Sequence, residues 1–396
     1  MERIGIYGGT FNPPHVGHMA AARQVIELLR LDKLFLIPTR IAPHKSLPEN
    51  SPTPEQRLQM LTVAAADISQ AEVLDMELRR EGPSYTYLTV QTLKQQHPQA
   101  QFVLIMGTDM FLSFETWKNW QWLMENVTIA VLYRGQRGEK SAIWDKREAL
   151  CAKGAQVELV ENQVTAISST DLRRMLTFQC AGPFLPNGIL EFIKDKGLYN
   201  VKQDLWQLPM EQLEQVVVSL LKPGRVAHVL GCRDAAVELA RCWGADPTDA
   251  ARAGILHDIT KALDGPLQLT LCQEHGIILD VFSKENPKVL HALTGSVVAE
   301  RIFGENEAVV SAIRHHTTGR ADMSLLEKII YVADYMEPNR DFPGVEELRR
   351  LAFSDLDGAL RLGLEMTVSI LRANGAQISA ASLEALEYLN QRLPEN

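Results

Sequence analysis

Residues 4–18, Ile-Gly-Ile-Tyr-Gly-Gly-Thr-Phe-Asn-Pro-Pro-His-Val-Gly-His, restrict the fold more than any other stretch of the chain. A short apolar run over 4–7 has strand character. It meets Gly8-Gly9-Thr10, and His15-Val16-Gly17-His18 then opens an Ala-rich helical pattern over 19–31. Strand, glycine turn and helix in succession predict an alternating α/β fold with a parallel sheet. Glycines let the backbone approach a phosphate closely, and the helix start offers free N–H groups at the positive end of its dipole. His15 and His18 are three apart, so both can face one side of the first helical turn. Two imidazoles there can donate to nucleotide phosphates and stabilise charge developing on a transferring phosphoryl group.

Further segments add to this. A second apolar run ends at Ile37-Pro38-Thr39, and Pro43-His44-Lys45 follows in a loop. Ser84-Tyr85-Thr86-Tyr87 precedes a helical pattern over 88–96. A buried strand over 102–106 ends in Gly107-Thr108-Asp109, the end of a parallel strand where ligands bind. Leu112, Phe114, Trp117, Trp120 and Trp122 come next, most of them expected in the core, with one ring free to stack on a flat heteroaromatic base. Ile167-Ser168-Ser169-Thr170-Asp171-Leu172-Arg173-Arg174 reads as a helix start that joins hydroxyls to arginines.

These segments together resemble the HxGH nucleotidylyltransferase superfamily, and within it the bacterial nicotinate mononucleotide adenylyltransferases, over residues 1 to about 200. The resemblance implies a Rossmann-like domain. Gly8, Gly9, Thr10, Phe11, His15, His18 and Lys45 would serve ATP, with Mg²⁺ neutralising its phosphates. Tyr85, Thr86 and Trp117 would hold the nicotinate ring and its carboxylate, Asp109 would sit beside the nucleotides, and Ser169, Thr170 and Arg173 would bind ATP phosphates. His15, His18, Lys45 and Arg173 are the expected catalytic groups. Asn12 stands where many members carry Asp, and no catalytic role is expected of it. The reaction implied is attack of the 5′-phosphate of nicotinate mononucleotide on the α-phosphorus of ATP, a transfer that needs positioning and charge stabilisation and no protein nucleophile.

Beyond about residue 200 the texture changes. Helical patterns cover 210–221, 225–243, 248–257, 290–303, 325–336, 345–352 and most of 356–393, which predicts an all-α domain over 201–396 after an α/β domain over 1–200. Charge divides with them. Lys and Arg balance Asp and Glu, 21 against 21, up to residue 200, so the net charge of −9 falls wholly in the second half, with 19 against 28. An acidic half without a basic stripe argues against nucleic acid as a partner. No long uncharged apolar run predicts a membrane span, and the sequence begins on a strand rather than a secretory signal. Cys151, Cys180, Cys232, Cys242 and Cys272 form no C-x-x-C motif, which fits reduced thiols in a cytoplasm.

Six of the ten histidines lie in the second half. His228 sits on a helix, His257-Asp258 follows an apolar helical run over 253–256, His291 begins a helix, His315-His316 ends another, and Asp334 lies within the apolar Tyr331-Val332-Ala333-Asp334. An Asp in an apolar helix is costly to bury unless it is paired or metal-bound. Neutral imidazoles and carboxylates projecting from several helices suit a pair of divalent transition metals. This ordered set resembles the HD phosphohydrolase superfamily. Lys261 after His-Asp-Ile-Thr, the string His316-Thr317-Thr318-Gly319-Arg320 and the segment 331–341 narrow the resemblance to the bacterial HD-domain symmetrical diadenosine-tetraphosphate hydrolases, over about 205–352. It implies a di-iron centre with His228, His257, Asp258 and Asp334 on one metal and Asp258, His291 and His316 on the other. Lys261, Thr318 and Arg340 would meet phosphate oxygens of diadenosine tetraphosphate. Adjacent residues on a helix point about 100° apart, so His315 and His316 are not both expected to be ligands.

The expectation is a bifunctional enzyme acting on small nucleotides. Competing readings are a non-catalytic metal- or nucleotide-sensing HD domain, an HD phosphoesterase of different substrate, a nicotinamide mononucleotide acceptor, and a pure scaffold. The complete ligand set argues against a dead second domain, and the density of chemical side chains argues against a scaffold.

Overall fold

The computed structural model describes residues 1–42, 47–48, 51–133, 138–162 and 167–391. It divides into two compact units, Met1–Gln203 and Asp204–Asn396.

The first unit is built on six parallel strands: β1 (Arg3–Gly9), β2 (Lys33–Pro38), β3 (Ala71–Val73), β4 (Gln101–Gly107), β5 (Thr128–Tyr133) and β6 (Gln156–Glu161). Their order is β3-β2-β1-β4-β5-β6. The chain fills one side of β1 and then the other, so the sheet has its topological switch between β1 and β4. The crevice outside the strand ends there is where such sheets bind ligands. β4 and β5 read as unbroken apolar runs because helices cover both faces, and Ile4, Ile6, Phe35, Leu104, Ile129 and Val131 are all buried in one cluster. The crossovers include α1 (Val16–Leu28), α2 (Pro54–Ala65), α3 (Thr86–Gln96), α4 (Thr108–Leu112), α5 (Trp120–Asn126) and α6 (Glu139–Cys151), with α7 (Ser169–Thr177) and α8 (Ile189–Lys196) after the last strand.

One local difference from the sequence reading bears on the site. Gly8 and Gly9 do not form a turn after the strand; they are its last two residues, paired with Ile37 and Pro38 of β2. The chain turns at Phe11, whose φ of 45° is in the left-handed region. A Cβ on Gly9 would lie 3.3 Å from the Phe11 ring, so the glycine makes room for that turn.

In the second unit the described residues contain no strand. It comprises α9 (Met210–Leu220), α10 (Val226–Trp243), α11 (Pro247–Leu256), α12 (Gly265–Glu274), α13 (Val281–Glu285), α14 (Leu290–Arg301), α15 (Glu307–His315), α16 (Leu325–Met336), α17 (Val345–Ala352), α18 (Leu356–Ala373) and α19 (Ala380–Gln391). Apolar stripes of α10, α11, α15 and α16 meet in a core containing Leu239, Ile255, Leu256, Ile313, Ile329 and Ile330. A Cβ on Gly254 would come within 2.8 Å of the Arg233 backbone, so this glycine lets α11 press directly onto α10. Residues 204–209 belong to this unit. Gln207 N–H donates to the Phe303 carbonyl at 2.7 Å, Arg252 donates to the Leu208 carbonyl at 2.8 Å, and Trp206 lies over Gly304. Among the described residues no helix is long and apolar enough to cross a membrane, and no disulfide joins any of the five cysteines.

Candidate active sites

In the first unit, two cavities of about 280 and 620 Å³ open at the switch point and share the wall formed by residues 7–10 with Gly107, Asp109 and Met110. The larger holds His15, His18, Ser169, Thr170 and Arg173. The smaller holds Tyr85, Thr86 and Trp117. The fold therefore gathers at one crevice the residues that the sequence reading drew from five separate segments. Lys45 lies outside the described residues.

The histidines start α1 by capping it reciprocally. His15 is the N-cap; its Nδ1 accepts from the His18 N–H, and His18 Nδ1 accepts from the His15 N–H, each at 3.3 Å. The rings stack with centroids 3.6 Å apart. Burial, and then the neighbouring His15, hold the His18 pKa well below 6.5, so His18 is neutral. A neutral imidazole whose Nδ1 accepts carries its proton on Nε2. The cap therefore fixes the donor face of His18. Phe11 is buried edge-on to His18, with centroids 5.0 Å apart, and keeps that ring in place.

α7 faces the same crevice. Ser168 caps it by accepting from the Asp171 N–H at 3.0 Å. Ser169 Oγ donates to the Pro13 carbonyl at 3.1 Å, and Arg173 donates to the Asn12 carbonyl at 2.7 Å and to Thr170 Oγ1 at 3.1 Å. Asn12 is buried and accepts from the Tyr199 hydroxyl at 2.8 Å, so this side chain ties the loop after β1 to the end of the domain. On the other side, Tyr85 is the N-cap of α3 and makes no side-chain cap, which leaves the first N–H groups of that helix uncapped beside Trp117. Asp109 lies in the first turn of α4 and borders both cavities.

Two residues that support or line this crevice escaped the sequence reading. Arg57, on α2, has no exposed surface; it donates to the carbonyls of Thr10 at 2.7 Å and Thr39 at 2.8 Å, clamping the loop after β1 to the end of β2. Glu77 lines the smaller cavity, accepts from Thr89 Oγ1 at 2.7 Å, and has its pKa raised by burial.

In the second unit the expected ligands converge on Asp258, which has no exposed surface. Its Oδ2 lies 3.6 Å from His228 Nε2 and 3.4 Å from His257 Nε2, and Asp334 Oδ1 is 3.1 Å from His228 Nε2. Its Oδ1 lies 3.3 Å from His291 Nε2 and 3.7 Å from His316 Nε2. One carboxylate thus faces two nests of imidazole, and two overlapping groupings here, His228 with His257 and Asp334 and His257 with Asp258 and His316, are spaced to hold a metal ion. The other ring nitrogens are spoken for. His257, His291 and His316 each set Nδ1 2.7 Å from a carbonyl, of Gly254, Lys288 and Ile313, and His228 Nδ1 is 3.0 Å from Glu337 Oε1. Donation from Nδ1 leaves each Nε2 lone pair turned inward, as metal ligation requires. His291 Nε2 and His316 Nε2 are buried without a hydrogen-bond partner, an arrangement that divalent cations beside Asp258 would satisfy. The residues present fit such a centre.

The electrostatics agree. Burial raises the Asp258 pKa, but the charge of His257 and the close imidazoles of His228 and His291 outweigh it and hold the carboxyl well below its usual range. Burial likewise opposes charge on Asp334, and the hydrogen bond from His228 with the charges of His257 and Arg340 prevails. Burial pushes His316 down to about 4, which keeps its lone pair available. His257 goes the other way. Burial disfavours its charge, yet Cys232 and Asp258 raise its pKa well above 6.5.

Lys261 Nζ stands 3.0 Å from Asp258 Oδ1, and Arg340 donates to Asp334 Oδ1 at 2.5 Å. Thr318 is not brought to this cluster by any described contact; its hydroxyl donates to the Gly319 carbonyl at 3.1 Å. No described contact brings His315 to the nest; the charges that act on it are those of Glu327, Arg320 and Arg314. Glu337, absent from the expected set, lies one helical turn after Asp334, and that i, i+3 spacing was its only signal. It also accepts from the Asn339 N–H at 2.7 Å, and a side chain at Gly231 would run into it. Beneath the site, Gln268 of α12 donates to the Thr260 carbonyl at 2.7 Å, and Thr260 donates to the His291 carbonyl at 3.1 Å. This buried network locks the turn that carries Asp258.

Family comparisons divide the chain in the same way. The cytidylyltransferase-like model matches residues 6–175 and the HD domain model residues 225–339. A probable nicotinate-nucleotide adenylyltransferase of Pseudomonas syringae pv. tomato is 37% identical over 211 residues, covering 50% of this chain and 94% of the relative. A symmetrical bis(5′-nucleosyl)-tetraphosphatase of Halalkalibacterium halodurans is 44% identical over 176 residues, covering 44% of this chain and 94% of the relative. Among solved structures, a predicted HD superfamily hydrolase involved in NAD metabolism from Clostridium acetobutylicum is 38% identical over 47% of this chain and all of its own, with a TM-score of 0.46. The chain therefore belongs to the nicotinate-nucleotide adenylyltransferase family through its first half and to the HD-domain family of symmetrical bis(5′-nucleosyl)-tetraphosphatases through its second.

Proposed function

We propose that this chain is a bifunctional enzyme, with an adenylyltransferase domain over 1–200 and a phosphohydrolase domain over 201–396. The first makes nicotinate adenine dinucleotide and pyrophosphate from ATP and nicotinate mononucleotide. The second cleaves diadenosine tetraphosphate into two ADP. The observation that carries the reading of the second half is the Asp258 carboxylate, with one oxygen toward His228 and His257 and the other toward His291 and His316.

In the first site ATP occupies the larger cavity, its phosphates over the start of α1 and against Ser169, Thr170 and Arg173. The acceptor occupies the smaller one, its ring on Trp117 and its carboxylate at the uncapped start of α3. The shared wall of residues 8–10 brings the acceptor's 5′-phosphate to the α-phosphorus. An acceptor oxygen bonds to that phosphorus, the bond to the β-phosphate oxygen breaks, and pyrophosphate leaves. His18 donates Nε2–H to the charge that builds on the phosphoryl oxygens, and His15 holds His18 in register. Mg²⁺ carried with ATP neutralises the phosphates.

In the second site His228, His257, Asp258 and Asp334 would hold one divalent ion, and Asp258, His291 and His316 the other; iron is the metal the family resemblance implies. Ions held there supply Lewis-acid charge to phosphoryl oxygens and a water-derived nucleophile at neutral pH. Lys261 and Arg340 bind phosphate oxygens and orient the chain for attack at a central phosphorus. A cytoplasmic location accords with five cysteines that form no disulfide.

The test is product analysis on the full chain. ATP with nicotinate mononucleotide should yield the dinucleotide and pyrophosphate, and with nicotinamide mononucleotide much less. Diadenosine tetraphosphate should yield ADP alone. ATP plus AMP from the second reaction, or hydrolysis that survives thorough chelation, would overturn the reading of the second half.

A further inference from the structure

Arg225 stands directly before α10, one turn ahead of His228, and none of the roles above uses it. Its Nε donates to Asp258 Oδ2 at 2.7 Å, and its Nη2 donates to the same oxygen. That oxygen is the one turned toward His228 and His257. A carboxylate oxygen has two lone pairs, and a bidentate guanidinium engages both directions. The guanidinium and a metal in the first nest therefore compete for one atom.

Exposure separates the competitors from their target. The Asp258 side chain is fully buried, while Arg225 keeps 29%, Lys261 36% and Arg340 33% of their side-chain surface. The three cations form the mouth of the site, and the carboxyl groups of Asp258, Asp334 and Glu337 form its floor. Three positive groups face three acidic ones, so a pair of divalent ions leaves the loaded site with excess positive charge, which a polyphosphate anion answers. The three cations differ in their anchors. Arg340 is also held by the Asp334 carbonyl, to which its Nε donates at 2.8 Å. Both described hydrogen bonds of the Arg225 guanidinium go to Asp258.

We propose that Arg225 is a polyphosphate-binding residue of the second site. It neutralises Asp258 before metal enters, and the metal's capture of that oxygen frees its guanidinium to take a phosphate of the substrate. One side chain thus links metal loading to substrate affinity. The inference rests on the reading of the second half as a dinucleoside-polyphosphate hydrolase.

Mn²⁺ and ADP are suitable probes, with the full-length protein compared as wild type, Arg225→Gln and Arg225→Lys. Free Mn²⁺ is counted by electron paramagnetic resonance. ADP binding is measured on the Mn²⁺-loaded protein, and the binding retained by the Arg225→Gln/Asp258→Ala double variant, which lacks both the shared ligand and the guanidinium that its loss would free, is subtracted. Loss of the charged competitor should tighten Mn²⁺ binding in Arg225→Gln by about tenfold, and loss of the phosphate contact should weaken ADP binding by about tenfold. Arg225→Lys keeps the charge without the fork, and should fall between wild type and Arg225→Gln in both measurements. Unchanged or weaker Mn²⁺ binding in Arg225→Gln would show that the guanidinium supports the ligand rather than competing for it. Unchanged ADP binding would remove the phosphate role. Either result overturns the proposal while leaving cleavage of diadenosine tetraphosphate by the wild type intact. Failure of the wild type itself to bind ADP at the second site or to cleave that substrate would instead overturn the functional reading, and this inference with it.

Discussion

The candidate sites of the two halves are built of opposite materials. In the first, the site lies at strand ends and helix starts, and much of it is main chain: the last residues of β1, the uncapped start of α3, the first turn of α1. In the second it is a cage of side chains, each sent inward from a different helix or turn onto one buried carboxylate. Main-chain donors survive substitution, because every residue but proline has an N–H. A ligand cage has no such reserve. Single substitutions should therefore have graded effects in the first half and nearly all-or-none effects in the second.

The sharpest way to break this contrast is Asp258→Ala. Both nests lose their shared ligand, so metal content should fall to background and hydrolysis by about a thousandfold or more, the several kcal/mol that metal charge supplies. Adenylyl transfer by the same protein should be unchanged. Metal analysis with the two product assays checks all three, and retention of one metal equivalent would mean that the nests are independent. Next in size is His18→Ala, which should lower kcat for adenylyl transfer by about a hundredfold, as loss of one transition-state donor does. The KM for ATP should move far less. A loss as deep as that of Asp258→Ala would erase the contrast between the halves. Smaller again is Glu337→Gln, which keeps a neighbour for His228 Nδ1 but removes its charge. Metal affinity, titrated against a chelator, should drop by roughly tenfold.

The smallest effect concerns pH. Because the folded protein holds the His18 pKa well below the 6.5 of free imidazole, the unfolded chain binds a proton there first. Stability from this residue is therefore present above pH 6.5 and declines as pH falls below it. Thermal melts at pH 7.5 and pH 5.5 should differ less for His18→Gln than for wild type. Adenylyl transfer should show no titration of His18 between those values, since the ring is neutral throughout.

Much of this arrangement was legible in the sequence, and unevenly so. The strands were visible because a parallel sheet buried on both faces leaves unbroken apolar runs such as Phe-Val-Leu-Ile-Met at 102–106. The helix over 325–336 was visible because its apolar residues surround an Asp that packing alone would not tolerate. The helix over 265–274 was missed. A buried Gln268 sits inside its apolar stripe, and a polar letter there reads as a surface position unless its partners, Thr260 and Thr294, are known. Arg57 was missed for the same reason. A lone arginine on an amphipathic helix reads as solvated, and only the folded chain brings the Thr10 and Thr39 carbonyls together to receive it. Glycines near a phosphate site were read as a turn, whereas Gly8 and Gly9 complete a strand; composition alone does not separate the two. What the sequence displays is what each residue needs locally. What it conceals is a need met by a residue distant in the chain.

The reciprocal cap at the start of α1 has one more consequence. His15 and His18 each supply the partner for the other's backbone N–H, so the rings that line the larger cavity also cap the helix. Selection on catalysis and selection on folding then act on the same two letters. A library of variants sorted only for the amount of soluble protein, with no substrate present, should be depleted at both positions. Its survivors would favour Ser, Thr, Asp or Asn at 15 and Glu or Gln at 18, the ordinary capping pair. Such variants would be well-folded and silent, and their abundance relative to wild type would measure how far the active site departs from the best helix start this chain could have had.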